Sequence, residues 1–302
     1  MTVRFDGRIA LVTGAGNGLG RSHALGLAGR GATVIVNDLG GGRDGQGGSP
    51  IAAQAVVDEI VAAGGKAMAS GADITDQAAV SDMISSIKDA YGQLDIIVNN
   101  AGILRDKTFS KMTMDDFDAV LNVHLKGSAI VTHAAWPLLR EQGYGRIVFT
   151  TSPSGLYGNF GQANYSAAKM ALVGLMNTLH LEGAKYDIRV NCLAPTALTR
   201  MTEDLGMPEA AAKELDPESV TPGLLYLVSE QAPSRQILSA AAGCFTVTHI
   251  AETAGIWLAP ENRTPENVAA QVEAVTDRSD ERIYTGANEQ TGYFITRAFA
   301  NK

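Results

Sequence analysis

Short apolar segments alternate with helix-length segments along this 302-residue chain, and its 33 glycines concentrate at the turns between them. Strands that are separated by helices pair in parallel through right-handed crossovers. Together these observations predict an α/β fold, a doubly wound and mostly parallel sheet of seven strands with helices on both faces. We expect one domain over residues 1–250 and a C-terminal helical extension over residues 251–302.

Each predicted strand is a short apolar run bounded by turn residues. The predicted strands cover residues 8–14, 32–38, 66–70, 94–102, 145–152, 188–195 and 243–249. The predicted helices cover residues 19–31, 51–65, 114–143, 162–184 and 264–277. Pro137 should kink the third of them near its end, and Thr264 is the expected N-cap of the last. The extension packs on the domain, covers the mouth of its site or reaches a partner subunit.

The composition excludes several classes of protein. The formal net charge of −8 argues against a nucleic-acid partner, which usually meets a basic face. No apolar run reaches the ~18 residues of a membrane span, and a charged N-terminus that leads straight into a strand does not resemble a signal peptide. Cys192 and Cys244 are too few for a disulfide framework. We therefore expect a cytoplasmic protein.

A glycine-rich turn, TGAGNGLG at residues 13–20, directly follows the first predicted strand and opens the first predicted helix. Gly14, Gly18 and Gly20 let the backbone turn sharply and approach a pyrophosphate. The helix N-terminus then supplies N–H groups and the positive end of its dipole. In this strand–turn–helix context the motif predicts a dinucleotide site.

Asp38 closes the second predicted strand, where a carboxylate can accept hydrogen bonds from both ribose hydroxyls of NAD and repel the extra phosphate of NADP. The alternative is a turn-capping role, and Arg43 is the nearby basic residue that would favour NADP. The loop at residues 39–50 is either a flexible surface segment or a cover over the adenosine end of the cofactor. NAD is the expected cofactor.

Three residues form a candidate catalytic group. Tyr165 and Lys169 in NYSAAK share one face of a helix, and Ser152 ends the fifth predicted strand. A free phenol titrates near ~10, and a neighbouring ammonium together with a positive nicotinamide ring favours its ionised form. We expect Tyr165 to remove a hydroxyl proton, Ser152 to hold the substrate oxygen, and Lys169 also to bind the nicotinamide ribose.

The motifs TGAGNGLG, NNAG, Ser152 and YSAAK, in this order and spacing, resemble the short-chain dehydrogenase/reductase family over residues 5 to about 250. The resemblance implies a Rossmann fold, a nicotinamide cofactor and no metal. Asp73 is placed at the adenine edge or in a surface turn. The residues assigned to the cofactor are Gly14, Asn17, Gly18, Leu19, Gly20, Asp38, Asp73, Ile74, Asn100, Ala101, Gly102, Tyr165, Lys169 and Pro195.

Further stretches resemble the (3R)-hydroxyacyl-CoA dehydrogenase unit of multifunctional enzyme type 2 and its stand-alone bacterial relatives. These stretches are VNDLGG, NNAGILRDKTF, VHLKGS, GNFGQANYSAAK and RMT at residues 200–202. The resemblance implies NAD-dependent oxidation of a (3R)-3-hydroxyacyl-CoA to the 3-oxoacyl-CoA, in β-oxidation of a fatty acid or a sterol side chain. Basic residues that could meet the coenzyme A phosphates, or be merely solvated, are Arg105, Lys107, Lys111 and Arg200.

The sequence departs from the general family pattern at two positions. His124 stands where most members carry an Asn that helps to relay protons through water, so it either carries protons or only fills space. Pro195-Thr196 replaces the usual Pro-Gly after the sixth strand. Both departures are shared with the multifunctional type.

Other functions remain open: a hydroxysteroid dehydrogenase, a 3-oxoacyl reductase that uses NADPH, or a catalytically silent Rossmann protein. Two long helices, at residues 114–140 and 162–184, carry apolar residues on more than one side, so we expect a homodimer or homotetramer. The apolar residues that suggest this are Val120, Val123, Ile130, Val131, Leu172, Leu175 and Leu179.

Overall fold

The computed structural model describes residues 2–45, 47, 49, 51–199 and 213–300. The chain divides into two compact units, a larger one that ends at Val247 and a smaller one that begins at Thr248. The larger unit contains every predicted site residue that the structure describes. Arg200 and the RMT stretch lie outside the described residues.

The described part of the larger unit is built on one sheet. Its strands are β1 (Ile9–Thr13), β2 (Thr33–Asn37), β3 (Lys66–Ser70), β4 (Ile96–Asn99), β5 (Gly145–Thr150), β6 (Ile188–Pro195), β7 (Ile237–Ala241) and β8 (Cys244–Thr248). The order is β3-β2-β1-β4-β5-β6-β7-β8, and all pairs from β3 to β7 are parallel. The strand order reverses between β1 and β4, which leaves a crevice at their carboxyl ends.

The prediction of seven strands was wrong by one. The predicted strand at residues 243–249 corresponds to β8, and β7 was overlooked. The β7 sequence ILSAA has few of the β-branched and aromatic residues that mark strands. Ala242 and Gly243, at φ 48° and 73°, form the two-residue turn between the two strands.

Helices cover both faces of the sheet. The described helices are α1 (Gly18–Ala28), α2 (Ile51–Ala62), α3 (Gln77–Tyr91), α4 (Met114–Leu121), α5 (Ser128–Gln142), α6 (Pro153–Tyr157), α7 (Ala163–Gly183), α8 (Pro217–Leu227), α9 (Pro265–Ala270), α10 (Val272–Thr276) and α11 (Ala287–Ala300). None of these described helices is both long and apolar enough to cross a membrane.

Strand side chains alternate between two cores. Ala10 and Val12 of β1 pack in a cluster with α1, α2 and α8. Ile9 and Leu11 pack on the opposite face in a cluster with α3, α5 and α7. Every residue of β1 is buried, as expected for a central parallel strand that is covered on both faces. The two cores thus hold the strand ends, and the loops that follow them, in fixed positions.

The helix predicted at residues 114–143 is α4 and α5 joined by a π-helical segment, Asn122–Gly127. This interruption was not predicted, and such segments often occur at functional sites. Pro137 lies inside α5, and the kink expected there stays a prediction. The apolar residues that suggested an oligomer on these helices and on α7 are buried in, or packed against, the cores.

The smaller unit contains α9, α10 and α11. The helix predicted at residues 264–277 is divided at Gln271 into α9 and α10. Thr264 is the N-cap, as predicted, because its hydroxyl accepts a hydrogen bond from the N–H of Asn267 (3.2 Å). An isolated bridge pairs Glu252 with Arg282, whose guanidinium lies 4.2 Å from the ring centre of Tyr293.

Candidate active site

A cleft of about 360 Å³ opens where β1, β2, β3 and β4 end. The segments that follow these four strands supply most of its lining. Predicted cofactor residues that line the cleft are Gly14, Asn17, Gly18, Leu19, Gly20, Asp38, Asp73, Ile74, Asn100, Ala101 and Gly102. The structure therefore brings together eleven of the assigned side chains and backbone segments along one surface.

The start of α1 is suited to an anion. Asn17 is its N-cap residue and makes no capping hydrogen bond with its side chain, and the first turn carries no acidic residue. A helix N-terminus presents N–H groups that lack intrahelical partners, together with the positive end of the dipole. Since this end of α1 also lines the cleft, the residues present fit the pyrophosphate of a dinucleotide.

The turns after β1 and β4 are locked together. The Asn100 side-chain amide donates to the carbonyl oxygens of Thr13 and Gly14, at 3.0 Å each. The Thr13 hydroxyl in turn accepts from the backbone N–H groups of Asn100 (3.0 Å) and Ala101 (3.2 Å). A Cβ atom at Gly14, which has φ 62°, would lie 2.7 Å from Cα of Ala101. Only glycine allows this approach.

The Asp38 side chain links two glycine-rich turns by hydrogen bonds. Its carboxylate accepts hydrogen bonds from the N–H groups of Gly16 (2.7 Å) and Gly40 (2.6 Å). Asp38 therefore does cap turns, which was the alternative reading of this residue, and it also lines the cleft. The two roles are compatible because a carboxylate has about four lone-pair sites.

The described part of the 39–50 loop borders the cleft. Leu39, Gly41, Gly42, Arg43 and Gly45 are among its lining residues. The Arg43 carbonyl accepts from the N–H of Leu104 (2.9 Å), and the Asp44 carbonyl accepts from Nε of Arg105 (3.2 Å). The loop is thereby fastened to the segment that follows β4.

The three candidate catalytic residues lie just after the C-terminal end of β5 and near the N-terminal end of α7. Ser152 is the N-cap of α6, where its Oγ accepts from the N–H of Ser154 (3.1 Å). Tyr165 lies in the first turn of α7, one turn before Lys169. Nζ of Lys169 donates to the Thr150 carbonyl (2.5 Å) and lies 5.5 Å from the centre of the Tyr165 ring.

Burial dominates the protonation of this group. It raises the pKa of Tyr165 to about 12, against an opposing effect of the hydrogen bond with Ser152. Burial also lowers the pKa of Lys169 to about 7. Both groups are thus shifted toward their neutral forms. In the protein alone, burial is the largest influence on the Tyr165 pKa. The favourable effect expected of the Lys169 ammonium together with a bound nicotinamide stays a prediction.

His124 is buried in the π-helical segment, next to Tyr165. Its ring meets the Tyr165 ring edge-on, with 5.2 Å between the ring centres. Nε2 lies 2.8 Å from the carbonyl oxygen and 3.1 Å from the amide nitrogen of Ile103. Nδ1 is buried and has no hydrogen-bond partner among the described residues. Burial and the charge of Lys169 hold the pKa of His124 well below its usual value.

The remaining assigned cofactor residue, Pro195, ends β6. It does not line the cleft, and neither do Tyr165 and Lys169. The adjoining Thr196 donates its N–H to the Ala240 carbonyl (3.0 Å). Within the described ranges, no group of three or more His, Cys, Asp or Glu side chains could hold a metal ion.

Two of the basic residues expected to meet coenzyme A are paired with an acid. Lys107 and Arg105 reach the Asp116 carboxylate at 2.8 Å and 3.5 Å. Arg105 also lines the cleft, whereas Lys111 is exposed in a short 3-10 turn. An incoming phosphate would therefore compete with Asp116 for Arg105 and Lys107.

Sequence reasoning missed Thr13 and Asn164. Both are buried polar residues, and both connect segments that carry site residues. Their positions in the sequence pointed to the site, since Thr13 begins the TGAGNGLG motif and Asn164 immediately precedes Tyr165. Neither residue type indicates such a connection without the structure.

The family model for short chain dehydrogenases matches residues 8–210. Peroxisomal multifunctional enzyme type 2 of Drosophila melanogaster is 46% identical over 297 residues, which are 97% of this chain and 49% of that enzyme. Its full-length structure matches with a TM-score of 0.83 at 37% identity, over 99% of this chain and 51% of that one. The chain thus spans about half the length of this relative.

Two further relatives are shorter. Hydroxyacyl-CoA dehydrogenase ChsB1 of Mycobacterium tuberculosis is 40% identical over 232 residues, which are 72% of this chain and 70% of that protein. The structure of a 7α-hydroxysteroid dehydrogenase complexed with NADH and 7-oxo glycochenodeoxycholic acid matches with a TM-score of 0.72 at 31% identity, over 80% of this chain and 95% of that one. The chain therefore belongs to the short-chain dehydrogenase/reductase family and is an oxidoreductase that acts on a secondary alcohol.

Proposed function

We propose that the protein oxidises (3R)-3-hydroxyacyl-CoA thioesters to 3-oxoacyl-CoA with NAD. The observation that carries this proposal is the arrangement of Ser152, Tyr165 and Lys169 beside a cleft suited to a dinucleotide. The likeness to a hydroxyacyl-CoA dehydrogenase supports the choice of substrate. β-Oxidation of a fatty acid or a sterol side chain would supply such a substrate.

In this proposal Ser152 and Tyr165 hold the substrate oxygen, and the Tyr165 phenolate removes its proton. Bound NAD would accept the hydride from the same carbon and bring a positive charge to the site. Lys169 donates hydrogen bonds from a buried position and supplies positive charge when it is protonated. Because the site is largely buried, these charges are poorly screened by water, so they act strongly on the phenol.

We propose that His124 takes part in proton transfer. Its low pKa keeps the ring neutral, so that donation from Nε2–H to Ile103 leaves Nδ1 as an acceptor. That acceptor is buried and unpartnered among the described residues, next to the Tyr165 ring. Such an atom suits a water molecule that carries protons to or from Tyr165.

The proposed cofactor is NAD rather than NADP. Asp38 puts a negative charge in the cleft, where a ribose phosphate would be repelled. The likeness to an enzyme complexed with NADH supports a nicotinamide cofactor. We also propose a cytoplasmic location, in keeping with the free cysteines Cys192 and Cys244.

The first prediction concerns the substrate. We expect the R enantiomer of a 3-hydroxyacyl-CoA to be oxidised on the order of 100-fold or more faster than the S enantiomer, because three points of the reacting carbon are fixed at once. Both enantiomers would be offered at equal concentration and NADH followed by absorbance. A free steroid alcohol is the comparison, since a related hydroxysteroid dehydrogenase is complexed with 7-oxo glycochenodeoxycholic acid. Comparable rates for both hands, or a preference for the steroid, would contradict the assignment.

The second prediction concerns the base. Tyr165→Phe should lower kcat by about 10²–10⁴-fold because the proton acceptor is lost, while NAD still binds. In the unmodified enzyme, oxidation should accelerate as pH rises, since the phenol must be ionised and burial raises its pKa. Steady-state rates from neutral to alkaline pH test this, with the exposed Tyr226→Phe as the control. Near-native turnover of Tyr165→Phe would transfer the role of base to another group, with His124 the next candidate.

The third prediction concerns cofactor choice. Asp38→Asn retains an oxygen that can accept from Gly16 or Gly40 but removes the charge, so the preference for NAD over NADP should fall by about tenfold or more. The ratio of kcat/KM for the two cofactors measures this, and the exposed Asp58→Asn on α2 is the control. An unmodified enzyme that uses NADP better would overturn the assignment and implicate Arg43.

The fourth prediction is a homodimer or homotetramer. The exposed Met170 and Leu181 on α7 support it, because apolar side chains on an outer helix face are commonly covered by a symmetric partner. Light scattering at micromolar concentration should give two or four times the 31.6 kDa of one chain. A monomer mass would refute it.

A further inference from the structure

Asn164 is fully buried immediately before Tyr165 and uses both ends of its amide. Nδ2 donates to the carbonyl oxygens of Arg105 (3.1 Å) and Asp116 (3.3 Å). Oδ1 accepts from the backbone N–H of Tyr165 (2.8 Å). One side chain thus joins the segment after β4, the first turn of α4 and the first turn of α7.

The contact with the Tyr165 N–H satisfies a group that the helix itself cannot. The first N–H groups of a helix have no intrahelical acceptor and usually bond to a capping side chain. Gln162, the N-cap residue of α7, makes no such bond with its side chain. Asn164 supplies the acceptor from inside the helix, at the residue that carries the proposed base.

Arg105, whose carbonyl accepts from the Asn164 amide, also belongs to the site. We call residues 103–107 the connecting segment. Ile103 holds the His124 ring, and Arg105 lines the cleft. The segment is also tied to the chain just before α7, because the Lys107 N–H donates to the Gly161 carbonyl (2.9 Å) and the Gln162 amide donates to Asp106 (2.7 Å).

We propose that Asn164 is a positioning residue that fixes the Tyr165 phenol relative to Ser152 and to the cleft. The inference rests on the proposed role of Tyr165 as the base. Asn164 acts through the backbone of Tyr165 and through the connecting segment. A misplacement of about 1 Å at a reacting group can cost on the order of 100-fold in rate, so a single buried amide can control turnover.

Replacement of the Asn164 amide should change the placement and ionisation of Tyr165, and not only the stability of the protein. In Asn164→Asp the side chain keeps its shape but turns a double donor into an acceptor that faces two carbonyl oxygens. The new negative charge also disfavours the Tyr165 phenolate. Asn164→Ser is milder, since its hydroxyl can still donate one hydrogen bond and adds no charge.

Asn191 is a matched control. It is also fully buried, its amide donates to the carbonyls of Leu227 (3.3 Å) and Pro233 (2.7 Å), and its oxygen accepts from the N–H of Gln236 (2.9 Å). Asn191→Asp therefore breaks the same kinds of hydrogen bond at a place that does not hold Tyr165. It should lower the melting temperature as Asn164→Asp does.

The experiment compares the Asn164→Asp, Asn164→Ser and Asn191→Asp proteins with bound NAD. Protein labelled with carbon-13 at the phenolic carbon of tyrosine reports Tyr165 by NMR, with the signal assigned from its loss in Tyr165→Phe. We expect both Asn164 variants to shift or broaden that signal and to lower kcat per folded enzyme by about 10–100-fold, with little change in NAD affinity. The rise of rate with pH should move to higher pH in Asn164→Asp, and Asn191→Asp should leave the signal and the pH profile unchanged.

The proposal is overturned if the Tyr165 signal of the Asn164 variants keeps its position and width and their kcat stays within about twofold of the unmodified enzyme. It is also overturned if Asn191→Asp changes the signal and kcat as much as Asn164→Asp does. Failure of the proposed function would look different. Tyr165→Phe would then keep its turnover, while the NMR comparison would still report whether Asn164 holds the Tyr165 ring.

Discussion

The close contact between the turns after β1 and β4 is the constraint on which the rest of the site depends. Asn100 and Thr13 exchange hydrogen bonds across it, and Gly14 is tolerated only as glycine because Ala101 lies against it. Both turns directly follow strands whose side chains are buried in the two cores. The position of the cleft is therefore set by the packing of the sheet and by only a few polar contacts at its edge.

The candidate catalytic group illustrates how burial and charge oppose one another. Tyr165 and Lys169 are both shifted toward neutrality by the environment that the fold creates. A neutral phenol and a neutral amine need little solvation, so this buried pair carries little desolvation cost in the protein alone. In the proposed reaction, a positive charge that arrives with the cofactor would favour ionisation of the phenol. Under that proposal, proton removal would depend on occupancy of the cleft.

Most of the fold and of the cleft could be predicted from the sequence, because apolar strand segments and glycine motifs are local patterns. The first six strands and the cleft residues from Gly14 to Gly102 follow from such patterns. β7 could not be found because ILSAA is short and carries small residues. The π-helical segment and the role of Asn164 depend on contacts between distant segments, and no local pattern encodes these.

The connecting segment makes the two halves of the site one structure. At one end its Leu104 and Arg105 hold the loop that carries Arg43 and Asp44, so the segment touches the wall of the cleft. On its other side, the Arg105 carbonyl accepts a hydrogen bond from the Asn164 amide, beside Tyr165. Two hydrogen bonds at Arg105 thus connect the loop to Asn164, which in turn accepts from the N–H of Tyr165. Backbone carbonyls accept both hydrogen bonds, whereas the Arg105 and Asn164 side chains donate them. The connection therefore depends on these two side chains as well as on the path of the chain.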